Sequence, residues 1–286
     1  MPFVKMHGLG NDFVVLDHRR SPREISPRLA ARLADRRLGV GCDQIVQLLP
    51  PRSGGDVEMR IYNADGSQAE MCGNAARCVG LYTSQRDQRA LEVLTLETLA
   101  GAVRIWPEGW RRFAVDMGPP RFAPAEIPAL LPEGSPPGAN DEGRVVNLPL
   151  EIEGTLYHAT LVSMGNPHCV IPVASVEAVP LERIGPLLEH HPAFPRRTNV
   201  EFIQTLDRET VRMRVWERGV GITPACGTGA CAAGVAAFLL GVVGRRVTVR
   251  LDGGDLTILW SESGNVIMTG AAAESFHGVF DEDGAN

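Results

Sequence analysis

Two stretches of this chain share one shape: "MCGNAARCVG" (71–80) and "ACGTGACAAG" (225–234) each place a Cys-Gly step at the mouth of a run of small residues. A shift of 154 brings Cys72 onto Cys226, Gly73 onto Gly227 and Ala76 onto Ala230, and carries Tyr62 onto Trp216 and Asn63 onto Glu217. A shift of 155 lays "GLGNDFVVL" (8–16) on "SMGNPHCVI" (163–171), matching Gly10 with Gly165, Asn11 with Asn166 and Val15 with Val170, and sets Gln44 against Asn199. Shared order and offset predict an ancient duplication, which constrains the architecture more than any single segment can. A chain of 286 residues is also natural for two domains.

Local signals fill in each half. In "SPRLAARLADRRLGVG" Ser26 is a helix N-cap, Pro27 the first helical residue, Leu29 and Leu33 share a face and Gly39 is the stop. Its counterpart is "PLERIGPLLEHHP", with Leu187 and Leu188 near the shifted position of Leu33. Alternating or β-branched segments such as "IVQLL", "VEMRIYNA", "LEVLTLET", "RFAVDMG", "VEFIQ", "TVRMRVWE" and "VTVRLDG" predict strands. Each half is therefore expected to be mostly strand with two helices. Residues 118–143 hold seven prolines and little periodicity, and read as the connector. The short tail after Gly270 is expected to pack back on the first half, so that residues 1–117 with 272–286 make one domain and 118–271 the other.

The helix opened by Cys226, "GTGACAAGVAAFLLG", is small or apolar all round, and such a helix is buried on every side. Its N-terminus points unpaired N–H groups and a positive dipole end at whatever lies beyond it. A single start of this kind is more often mere capping and tight packing. Two of them at matched positions, with the halves facing each other, instead bring two helix N-termini onto one anion. The dipole is expected to lower both thiol pKa values from about 8.5 toward neutrality, making Cys72 and Cys226 two poised bases. Cys42, Cys78, Cys169 and Cys231 are taken as small core residues. Two sulfurs on opposite faces of one carbon remove and return a proton with inversion, so the chemistry predicted is racemisation or epimerisation. The helix ends hold the neighbouring carboxylate.

Composition excludes other classes. A net charge of -6 argues against nucleic acid, and the longest apolar run, residues 234–244, is far short of the roughly 20 residues that cross a bilayer. The start lacks a secretory pattern, and six thinly spread cysteines fit a reducing compartment, so the expectation is a cytoplasmic protein with a small-molecule partner. The spacings "CGNAARC" and "CGTGAC" are not those of zinc ligands, and no metal is expected.

The motifs "KMHGLGNDFVVLD", "GVGCDQ", "YNADGSQAEMCGNAARC", "VSMGNPHCV", "FPRRTNVEF" and "ERGVGITPACGTGACAA" resemble, in order, the signatures of the diaminopimelate epimerases, which are similar to the proline racemase group. The resemblance implies a mixed α/β fold of two pseudo-symmetric domains, each a strand-rich wrap around a central helix, with the active site in the cleft between them. It also implies interconversion of LL- and meso-diaminopimelate without a cofactor, in lysine and peptidoglycan precursor synthesis. By the same resemblance Cys72 and Cys226 are the acid/bases, and His168 and Glu217 assist their protonation changes. Asn11, Gln44, Asn63, Asn166, Asn199 and Arg218 hold substrate, while Gly73, Asn74, Gly227 and Thr228 cradle the reacting carboxylate.

Ala75, Arg37 and Ile222 depart from the commonest family pattern, and none replaces a residue assigned to chemistry. Mismatches between the halves, Asn63 with Glu217, Phe13 with His168 and Gln44 with Asn199, mark where a site recognises a second, non-reacting amino-acid end, with Arg218 as a bidentate carboxylate clamp. A proline or hydroxyproline racemase, a thiol-disulfide switch and a non-catalytic amino-acid-binding module are the alternatives at this point. A homodimer is expected on general grounds.

Overall fold

The structure, a computed structural model, describes residues 1–87, 92–131 and 143–282. It divides into two compact units, Met1–Asp116 with Thr269–Asn286, and Met117–Met268. The first contains β1 (Pro2–Gly8), β2 (Asn11–Asp17), α1 (Pro27–Ala34), β3 (Gln44–Leu49), β4 (Val57–Asn63), β5 (Gln68–Ala69), α2 (Gly73–Arg86), β6 (Leu94–Thr98), β7 (Gly101–Pro107) and β8 (Arg112–Asp116). The second contains β9 (Leu148–Ile152), β10 (Thr155–Ser163), β11 (Pro167–Pro172), α3 (Leu181–Glu189), β12 (Asn199–Thr205), β13 (Thr210–Glu217), β14 (Gly221–Ile222), α4 (Gly227–Leu239), β15 (Arg246–Leu251) and β16 (Gly254–Trp260). The strand β17 (Val266–Ala271) crosses the unit boundary, and β18 (Ala273–Val279) returns to pair antiparallel with β1. The chain is mixed α and β, rich in strands, and no helix among the described residues is long and apolar enough to cross a membrane.

The offsets found in the sequence recur in the strand registers. Phe13 lies beside Gln44 in the parallel pair β2–β3, as His168 lies beside Asn199 in β11–β12. Ile45 faces Tyr62 as Val200 faces Trp216, and Tyr62 faces Gln68 as Trp216 faces Ile222. Val57 beside Leu96 and Leu96 against Val103 repeat as Val211 beside Val249 and Val249 against Leu256. The strand β18 stands to β1 as β9 stands to β10, so the first unit borrows from the chain's end what the second takes from its own start. One register differs: β1 and β2 turn through Leu9 and Gly10, both left-handed, and pair Gly8 with Asn11, whereas β10 and β11 pair Ser163 with Pro167. Asn11 therefore lies in the ladder and Asn166 in the turn.

Within its own unit each small-residue helix is wrapped by strands. The helix α2 packs on β1, β7, β8 and β18, and α4 on β10, β11, β12, β13, β15 and β16. Small residues are required because the strands come close. A Cβ at Gly80 would lie 3.2 Å from Ile105 Cγ2, and one at the equivalent Gly234 would lie 2.9 Å from Ile258 Cγ2. The amphipathic helices α1 and α3 cover the outside of the sheets and close a second core in each unit, with Leu33 and Leu188 fully buried at matching positions. Leu187 beside it is exposed.

Two expectations change in detail. Ser26 caps α1 as expected, accepting from the Leu29 N–H at 3.2 Å, but the helix stops at Ala34 and not near Gly39. Asp35 ends it by turning its carboxylate back to accept from the Arg37 and Leu38 N–H groups. The Pro-rich connector is packed in its first part, where Ile127 and Ala129 join the second unit's core; residues 132–142 lie outside the described part.

Candidate active site

Both cysteines occupy the residue before the first helical turn, in extended conformation, and no side chain caps either start. The equivalence extends to the first backbone bond, Ala76 N–H to Cys72 O and Ala230 N–H to Cys226 O, each 2.9 Å. By helix geometry the N–H groups of Gly73 and Asn74, and of Gly227 and Thr228, leave each helix end without an intrahelical acceptor, which is the arrangement that binds anions.

In the first unit Cys72 is half-buried, with its Sγ 3.9 Å from Asn11 Oδ1. The same oxygen accepts from Asn74 Nδ2 at 3.1 Å, and Asn11 Nδ2 donates to Asp43 Oδ2 at 2.9 Å. Beside this group Gln44 Nε2 donates to Asn63 Oδ1 at 2.9 Å, and Asn63 Nδ2 to Ser67 Oγ at 3.0 Å.

In the second unit Cys226 is buried, and its Sγ lies 3.7 Å from Thr228 Oγ1. Thr228 accepts from Asn166 Nδ2 at 3.2 Å, Asn166 Oδ1 meets His168 Nε2 at 2.9 Å, and His168 Nδ1 meets Glu201 Oε1 at 2.7 Å. Glu217, on β13, accepts from the Thr223 hydroxyl, and its charge acts on the Cys226 thiol. His168 thus reaches Cys226 through Asn166 and Thr228, whereas Glu217 acts on it by charge. Asn199 is buried with both ends of its amide held by backbone, giving to Pro167 O at 2.8 Å and taking from Arg218 N at 3.0 Å, so here it braces the neighbouring strand. Arg218 Nη1 donates to Arg196 O at 3.2 Å.

The expected lowering of both thiol pKa values fails at Cys226. Burial, followed by the charges of Glu217 and Glu201, holds this thiol well above its ordinary value, against the opposing pull of the Gly229 N–H and Thr228. A helix end supplies only about 0.3–1 kcal/mol at an ordinary site, too little to offset the desolvation of a buried thiolate beside two carboxylates. Burial also pushes the Glu217 carboxyl up, opposed by its bond to Thr223. Cys226 therefore rests as a thiol.

Burial likewise raises Cys42 and Cys78 to about 12 and Cys169 well above 9.0. These thiols keep their protons in the fold at pH values where the unfolded chain loses them. Stability gained in this way is complete below the unfolded value of 9.0 and is lost as pH rises through the folded values. The urea midpoint, measured in reductant, is expected to fall progressively above pH 9, and more gently in Cys169→Ala.

Three side chains of the site escaped notice in the sequence: Asp43, Glu201 and Thr223. All three lie inside quoted motifs, and Glu201 carried a signal. It is a lone carboxylate in the apolar strand "NVEFI", in phase with Asn199, and such a residue needs a buried partner.

Comparison with known proteins identifies the family. The family profile described as diaminopimelate epimerase matches residues 3–123 and 160–274. Proteins named diaminopimelate epimerase from Magnetococcus marinus and Pelotomaculum thermopropionicum are 56% and 53% identical, covering 96% and 98% of this chain and 95% and 99% of their own. Among solved structures, a PhzF-family phenazine biosynthesis protein from Bacillus anthracis matches with a TM-score of 0.67 at 16% identity, covering 97% of this chain and 98% of its own. A probable proline racemase from Agrobacterium radiobacter matches with a TM-score of 0.66 at 16% identity, covering 99% and 93%. At that identity the structures share the fold alone. With paired cysteine helix starts in repeated registers and close relatives matched over nearly their whole length, the chain belongs to the diaminopimelate epimerase family.

Proposed function

We propose that the chain interconverts LL- and meso-diaminopimelate by a two-thiol mechanism, without cofactor or metal, in the formation of lysine and peptidoglycan precursors. The observation that carries this reading is the repetition itself: Cys72 and Cys226 occupy equivalent helix starts, each with an Asn, Asn11 or Asn166, connected to the sulfur directly or through a hydroxyl. Carboxylates bind to helix N-termini, so Gly73, Asn74, Gly227 and Thr228 hold the carboxylate next to the reacting carbon. Negative charge that develops as the proton leaves is then stabilised by fixed N–H groups.

In the direction that starts with Cys226 protonated, Cys72 as thiolate takes the α-proton. Cys226 gives its own proton to the opposite face, and the Thr228 hydroxyl, whose oxygen already accepts from Asn166, is free to donate to the thiolate left behind. Glu217, whose carboxyl burial pushes up, is assigned to receive or return the Cys226 proton. The reverse direction exchanges the two roles. Asn63, Gln44 and Arg218 serve the distal amino-acid end, which is what separates diaminopimelate from proline-type substrates. The reading carries with it a cytoplasmic location and a homodimer.

The test is turnover in D2O by protein dialysed against a chelator and a carbonyl reagent. Deuterium is expected at one α-carbon of diaminopimelate, starting from either the LL or the meso isomer. Turnover of proline in place of diaminopimelate, or none without added pyridoxal phosphate, would contradict the reading.

A further inference from the structure

Asn11 can present either its carbonyl oxygen or its amide nitrogen to Cys72, and the two choices have opposite chemical consequences. The choice is made by Asp43, the residue before β3. Asp43 Oδ2 accepts from Asn11 Nδ2 at 2.9 Å and from the Asp12 N–H at 3.1 Å, while Oδ1 takes Arg36 Nη2 at 2.7 Å. A carboxylate in these contacts only accepts, so the Asn11 nitrogen must face Asp43 and its oxygen must face Cys72. The clamp is reciprocal, because Asp12 Oδ1 accepts from the Asp43 N–H at 2.9 Å. Arg36 bonds both carboxylates, and buried Lys5 pairs with Asp12 at 2.6 Å. Burial works against charge on Asp12, yet bonds from Arg36 and Lys5 hold its carboxyl well below the usual range.

The second unit has no such clamp. Asp43 corresponds to Thr198, whose hydroxyl bonds the Asn199 carbonyl, and Asn166 turns its oxygen to His168 and its nitrogen to Thr228. The two equivalent asparagines therefore show opposite ends to their helix starts.

We infer that Asp43 is a positioning residue that locks Asn11 with its carbonyl oxygen beside Cys72, so that the first helix start offers an acceptor for the thiol proton or for a substrate ammonium N–H. The ammonium half of this inference rests on the function proposed above; the lock on Asn11 rests on the first unit's geometry alone.

Rates of Cys72 alkylation by iodoacetamide, resolved by peptide mass spectrometry at one fixed pH without substrate, test the lock. In Asp43→Ala the Asn11 amide keeps only the bond from Asn74 Nδ2, whose own amide can turn with it; Asn11 can then rotate to donate to the thiolate, and alkylation is expected to quicken by about fivefold, the order of one hydrogen bond's worth. Asp43→Asn removes the same charge but keeps an oxygen for the Asn11 and Asp12 N–H groups, and is expected to stay within about twofold of the wild type. In an Asn11→Leu background the Asp43→Ala effect should vanish. Lys5, His7, Asp12, Arg36 and Arg77 are present in every variant, so their charges cancel from the comparison. An unchanged rate in Asp43→Ala, an equal rise in Asp43→Asn, or an effect that survives in Asn11→Leu overturns the inference. Circular dichroism checks folding, and Asp43→Ser, whose hydroxyl is too short to reach Asn11, is read in the same way should Asp43→Ala not fold. Wild-type turnover, assayed separately, keeps a failure of the proposed function distinct from a failure of the lock.

Discussion

Cys72→Ala and Cys226→Ala are each expected to lower kcat for diaminopimelate epimerisation by about 10^3-fold or more, with KM changed little. A positioned acid or base contributes on the order of 10^2–10^4, and inversion needs one on each face, so neither sulfur substitutes for the other. On the proposed reading, substrate binding depends on the helix N–H groups and on the amide side chains around them, which both variants keep. The loss therefore belongs in kcat, the mark of an interaction made in the transition state. Folding should survive, because alanine fits the space cysteine leaves and neither helix start has a side-chain cap bond to lose. Retention of more than a few per cent of wild-type kcat in either variant would show that one base suffices.

His168→Leu is expected to cost about 3–5 kcal/mol of stability, because it strands the Glu201 carboxylate in a position with no solvent exposure. The duplicated fold supplies the control. The residues of the first unit equivalent to His168 and Glu201 are Phe13 and Val46, also fully buried on adjacent parallel strands. The double variant His168→Phe/Glu201→Val imports that apolar pair into the same geometry and should regain most of the lost stability, since replacing both partners of a buried hydrogen-bonded pair by packed apolar groups is often neutral or favourable. It should not regain activity, for the connection from Asn166 to Glu201 is gone. Urea midpoints for the wild type and the two variants decide this, and a double variant no more stable than His168→Leu would show that the pair is not the source of the cost.

The repeat made the fold readable. Offsets of 154 and 155 between short motifs reappear as strand registers, because a duplicated chain keeps its side-chain alternation and a one-residue slip would turn every buried residue outward. The positions brought to each helix start, Asn11 with Cys72 and Asn74, and Asn166 with Thr228 and Cys226, followed from the same offsets. What stayed hidden depended on the third dimension. Glu201 looked like one more strand residue until its strand was placed against His168. The state of Cys226 was misread because a helix end is visible in sequence, whereas the two carboxylates and the burial that outweigh it come from separate strands. The end of α1 was misplaced for a similar reason, since Asp35 capping two later N–H groups is a loop conformation that periodicity does not report.

The two-thiol mechanism is tested most directly by the early time course of LL-diaminopimelate turnover in D2O, with label followed at the α-carbon in both substrate and product. Two thiols acting on opposite faces should give meso product carrying solvent deuterium from the first turnovers, while the remaining LL substrate stays unlabelled. Deuterium appearing in the remaining LL substrate as fast as in the product would mean that a single group exchanges and returns the proton, and would contradict the central claim.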